Sequence, residues 1–183
     1  MKSYLIITVI VVSLAACSQR QQAPARTVSH YRPTATIQDI MQSIIDPNID
    51  AVWNSVATIS TTAGTIEKSP HTDLEWKEVR QHALVVVEAS NLLIMEGRKV
   101  ADAGASTSSH AVELSPAEIQ KGIDNHRDAF NQHAQALHDA SVEALAAINA
   151  KNTEQLVQAG GKIDQACEQC HTQFWYPNDK RPL

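Results

Sequence analysis

Residues 164–174 read Asp-Gln-Ala-Cys-Glu-Gln-Cys-His-Thr-Gln-Phe and hold two of the chain's three cysteines, Cys167 and Cys170, with His171 directly after them. Two thiols separated by two residues and followed by an imidazole suit several chemistries. They can add to the two vinyl groups of a haem while the imidazole takes the iron. They can supply part of a tetrahedral zinc site. They can run thiol–disulfide exchange. Coincidence is the fourth reading, and the rest of the chain has to separate the four.

The third cysteine is Cys17, at the end of an apolar N-terminal stretch, MKSYLIITVIVVSLAAC. Lys2 supplies the positive end, Tyr4 to Val12 the apolar core, and Ala15-Ala16 the small residues of a cleavage site. That core falls short of the roughly 20 residues that span a bilayer, so residues 1–16 are expected to be an export signal. Leu14-Ala15-Ala16-Cys17 resembles a bacterial lipobox, which implies cleavage before Cys17 and lipidation of its thiol. An ordinary signal peptide with a chance cysteine is the alternative. If Cys17 carries lipid, the remaining thiols both lie in the one motif, in an oxidising compartment where idle pairs form disulfides.

Charge and composition exclude some partners. The chain of 183 residues has a formal charge of −5, and cleavage would remove Lys2 and no acid. An acidic chain without basic runs argues against nucleic acid. With six glycines and eight aromatic residues against abundant alanine, the composition favours helices over sheet.

Residues 17–33 are polar, with two prolines and no periodicity, and read as a flexible tether. A helical domain is expected over 34–178, with 179–183 as a tail. Ile37, Ile40, Met41, Ile44, Ile45, Ile49, Val52, Trp53 and Val56 keep a three-and-four spacing across Pro47, where a kink or short break is expected. Thr72 with Glu75 and Ser115 with Glu118 have the form of capping boxes. They open one helix to about Glu96, with Gly97 as a stop, and a second to about Asn149. Asn152 with Gln155 opens a last helix to about Phe174. Four helical segments with no strand pattern between them predict an all-α, antiparallel four-helix bundle. The connection 98–114 is long for a bundle and reads as a crossover without assigned function.

In the last segment Leu156, Ala159, Ile163, Cys167, Cys170 and Phe174 follow steps of 3, 4, 4, 3 and 4, which is one helix face. Both cysteines are thus expected to face the bundle interior, with His171 one turn from Cys167. Zinc lacks a second cysteine pair, and His126, His133 and His138 read as a polar helix surface. An exchange-active pair belongs at a helix start near a βαβ unit, whereas this one is near a helix end. Haem attachment is the reading that fits.

With CEQCH placed late on the last of four helices, the chain resembles the class II cytochromes c, the cytochrome c-prime group and its low-spin relatives. Class I members usually carry the motif near the N-terminus. The resemblance implies one covalent haem c near the C-terminal end of the last helix, thioether links at Cys167 and Cys170, and His171 as proximal iron ligand. It also implies that a first-helix residue meets the opposite haem face: methionine in low-spin members, an apolar residue in five-coordinate ones. Met41 matches that place; Met95 lies at the far end of the second helix, and His82 is a lesser candidate. Members often follow the haem histidine with an aromatic residue and then a cation, but here HTQFWYP puts Trp175 after Phe174.

One-electron transfer is the leading expectation, and binding of a small gas (NO or CO) by five-coordinate haem is the alternative. No catalytic constellation of an enzyme is present: no Ser–His–Asp set, no paired carboxylates, no phosphate loop. The expected partners are periplasmic or membrane redox proteins, with a homodimer as a further option. The expected location is the periplasm, lipid-anchored, with Ser18 hinting at the outer membrane. Trp53, Phe174 and Trp175 are expected to wall the haem pocket or pack the bundle, and Gly160-Gly161 to permit a close approach.

Overall fold

A computed structural model describes residues 31–106 and 109–180. The export signal, Cys17, most of the tether and the last three residues of the tail lie outside the described residues.

The first helix is assembled from three pieces. α1, Ile37–Ile40, starts on a capping box in which Asp39 N–H donates to Thr36 Oγ1 and Thr36 N–H donates to the Asp39 carboxylate. A π-helical turn, Met41–Ile45, leads without a break into α2, Asp46–Trp53. The expected disruption at Pro47 therefore takes the form of this wide turn. A proline lacks its N–H and crowds the preceding turn, and one extra residue per turn gives that place room. The turn also absorbs the step of five between buried Ile40 and Ile45, so Ile49 and Val52 still face the same core.

α3, Asp73–Leu93, opens on the Thr72–Glu75 capping box and ends three residues before the expected Glu96. Gly97 then takes a left-handed φ of 78° in the following turn, a conformation costly for other residues. The single long helix expected from Ser115 to Asn149 is two helices instead: α4, Pro116–Asn125, and α5, Arg127–Asn149. His126 breaks it with φ −130° and ψ 43°, its N–H shared between Gly122 O and Ile123 O. The break still leaves Ile123 and Phe130 both buried. α6, Thr153–Phe174, starts where Asn152 accepts from Gln155 N–H at 3.0 Å. The three-residue turn between α5 and α6 makes them antiparallel neighbours. α5 lies between α3 and α6, and the first helix packs on α3 and reaches α6 through α2.

A second correction concerns strands. β1, Ala57–Thr61, pairs antiparallel with β2, Gly64–Lys68, with Ile59 opposite Ile66. The hairpin lies almost wholly in solvent, so no core demanded it. The β-branched residues Thr58, Ile59, Thr61, Thr65 and Ile66 were the available signal.

The glycine pair divides cleanly. A Cβ on Gly160 would stand 3.2 Å from the Trp53 ring, whose Nε1–H donates to Gly160 O at 3.2 Å; one on Gly161 would meet open space. Trp53 thus packs the bundle through Gly160. Gly161→Ala is expected to stabilise the fold by about 0.5–1 kcal/mol through helix propensity. Gly160→Ala should gain less or lose, since the Trp53 ring must give way. Equal urea midpoints for the two variants would refute the close approach.

Candidate functional site

Cys167 and Cys170 lie where the helical phase put them, on the inner side of α6, partly buried and packed against the core. With His171 and Met41 they line one cavity of about 200 Å³ that opens to solvent on one side. Met41 begins the π-helical turn of the first helix, so two separate elements bring the expected thiols, imidazole and thioether to one place. Leu93, Ile119, Ile123, Phe130, Leu137 and Phe174 supply apolar walls.

Both thiols are free. Burial, and then the carboxylates of Asp46, Asp164 and Glu168, push the Cys167 thiol up to about 12. Burial, and then Cys167, push Cys170 up to about 12 as well. An exchange-active cysteine requires the opposite shift, which argues against thiol–disulfide chemistry. Among the described residues no group of three or more His, Cys, Asp or Glu could hold a metal ion.

Two aromatic rings pack on His171. Its ring meets Trp175 edge-on at 5.2 Å and Tyr176 at 6.0 Å. Burial lowers its pKa, with the Glu168 carboxylate opposing, so the imidazole is held neutral, the form that binds metal. Tyr176 in turn donates its hydroxyl to both Glu168 oxygens at 3.0 Å. Glu168 thus ties the end of α6 to the residues that follow it.

Of the other expected candidates, Met95 does not line the cavity; its Sδ accepts from Arg98 Nη2 at 3.1 Å. His82 Nδ1 pairs with Asn48 Oδ1 at 2.8 Å, His138 pairs with Asp139, and His126 sits at the helix break. His133 departs from its expected place on a polar surface. It lines the cavity, with Nε2 paired to Gln173 Oε1 at 2.7 Å and its ring edge-on to Phe174 at 6.1 Å. It shares the face of α5 that carries Phe130, Ala134 and Leu137. Asp46 also reaches the cavity, its carboxyl raised by burial and then by Asp50. Trp175 and Phe174 wall the site; Trp53 does not.

The donor set fits a covalent haem: two un-ionised thiols on one helix face, a neutral imidazole, a thioether on the first helix, and apolar walls between them. The volume is below the roughly 300–1,000 Å³ of usual ligand pockets, and the cavity is open to solvent.

No helix among the described residues is long and apolar enough to cross a membrane. No known protein family and no curated protein matches the sequence. Among solved structures, the chain is similar to two nitric oxide complexes of single-residue variants of cytochrome c prime from Alcaligenes xylosoxidans. The first is 17% identical, covering 78% of this chain and 97% of that one, with a TM-score of 0.47. The second is 18% identical, covering 77% and 97%, with a TM-score of 0.46.

Proposed function

We propose that the chain is a c-type cytochrome that passes single electrons. Cys167 and Cys170 would hold one haem c through thioether bonds, and His171 and Met41 would ligate its iron. The observation that carries the reading is that these four side chains, from α6 and the first helix, line one apolar cavity. When bound, the haem supplies the one-electron couple. Trp175 and Tyr176 would orient the imidazole, and the apolar walls would pack on the haem. The Met41 sulfur favours the reduced state and raises the potential. Asp46 and Glu168 put negative charge beside the site, which suits a redox partner with a basic patch and a salt-dependent encounter. A lipid on Cys17 would keep the carrier at a membrane facing the periplasm.

Intact mass and spectra of the protein exported from a bacterium test this together. The expected mass includes one haem and, on an N-terminal Cys17, a lipid. The expected ferric spectrum is low-spin with the weak far-red band of sulfur-ligated iron. A chain without haem would overturn the reading; a high-spin spectrum that responds to CO would replace electron transfer by gas binding.

A further inference from the structure

Arg98 is buried, 6% exposed, and among the described residues no carboxylate pairs with it. Its Nε–H donates to Leu92 O at 2.7 Å, Nη1 donates to Ala35 O, and Nη2 to Met95 Sδ. Leu92 O lies at the C-terminal end of α3, where carbonyls lack helical partners and a cation is favoured. Ala35 directly precedes the Thr36 cap of α1. One guanidinium therefore joins the end of one helix to the start of another.

The residues beside it continue the link. Ile37 N–H donates to Lys99 O and Gln38 N–H to Val100 O, each at 2.9 Å, so the crossover satisfies the first amides of α1. Val100 N–H donates to Gln120 Oε1 of α4 at 3.0 Å. Ile37, Gln38, Met41 and Val100 all line the cavity. α1 is the opening turn of the first helix and passes into a π-helical turn at Met41, so its first amides, which have no partner within the helix, are held from outside it.

We propose that Arg98 is a positioning residue: it pins the crossover and the start of α1 to the end of α3, and so holds Met41 against the cavity. This rests on the reading of Met41 given above. Without the pin, α1 samples positions in which the thioether is withdrawn. Exogenous ligands then reach the site in proportion to that withdrawn population.

The test uses the haem-loaded protein and the variant Arg98→Met, which keeps an unbranched apolar stem and removes every donor. The expected result is a weakened far-red sulfur band and a roughly ten-fold tighter apparent CO affinity, the order of effect of one lost charge-assisted hydrogen bond. Hydrogen exchange should quicken at Ile37 and Gln38 and stay unchanged at Ala144 and Ile163, which a general loss of stability would not produce. Arg98→Lys should restore part of both signals. Gln120→Ala, a milder cut of the same link, should move them in the same direction and serves if Arg98→Met does not fold. Unchanged CO affinity and unchanged exchange at Ile37 and Gln38 in a folded variant overturn the proposal. If the unmodified protein lacks the sulfur band, the function proposed for Met41 falls. Arg98 is then judged on the exchange at Ile37 and Gln38 alone.

Discussion

The double variant Cys167→Ala/Cys170→Ala is expected to lose all haem that survives denaturing electrophoresis, while each single variant keeps it through one remaining thioether. Alanine is the strongest helix former, so α6 itself should persist through both changes. The packing should suffer more. Without haem the cavity of about 200 Å³ and its apolar walls are left to solvent, and the stabilisation by a bound group is lost, so the double variant should melt below the haem-loaded chain. His171→Ala separates the two roles, since it should keep the covalent stain and lose the low-spin spectrum. Covalent haem on the double variant would show that other residues carry it, and the assignment of both thiols would fall.

Why these thiols should be modified follows from where they sit. A pair pushed up to about 12 by burial has almost no thiolate at neutral pH, so it neither exchanges disulfides nor traps soft metals readily. Yet the pair occupies the inner face of α6 beside a neutral imidazole. Attachment to a group that fills the cavity gives those positions a reason.

The site was legible in the sequence because local rules decide its parts. The α6 phase from Leu156 to Phe174 turned both thiols inward, and the capping residues Thr72, Ser115 and Asn152 each open the expected helix. Met41 reached the cavity because the apolar stripe of the first helix already held it. What stayed hidden depends on contacts between distant segments. The break at His126 involves neither glycine nor proline; next to it Arg127 Nη2 donates to Ile94 O and Met95 O at the end of α3. His133 lines the cavity in phase with Phe130, Ala134 and Leu137 of α5, a polar residue on a face that its polar neighbours in sequence disguised. The π-helical turn reconciles Pro47 with the core, a demand visible only once Ile40 and Ile45 are both buried. Arg98 fell in the crossover to which no function was assigned; two of its three partners are carbonyls, which no side-chain pattern reveals.

Met41→Leu is the sharper discriminator between carrying electrons and binding gas. The exchange keeps volume and apolar character and costs less than about 1.5 kcal/mol at most core sites, so the fold and the covalent haem should remain. Only the sulfur leaves. The expected result is loss of the far-red band, a high-spin ferric spectrum, and a lower potential, because the methionine that favours reduced iron is gone. CO affinity of the reduced protein should rise by roughly 100-fold if the thioether is off the iron about 1% of the time in the unmodified chain. Met95→Leu is the control. Its sulfur does not line the cavity but accepts from Arg98, so the low-spin spectrum should remain and CO affinity should shift far less than in Met41→Leu. If the unmodified chain already binds CO as tightly as Met41→Leu does, Met41 is packing rather than ligand. The cavity would then serve a gas, and the first helix would only cover it.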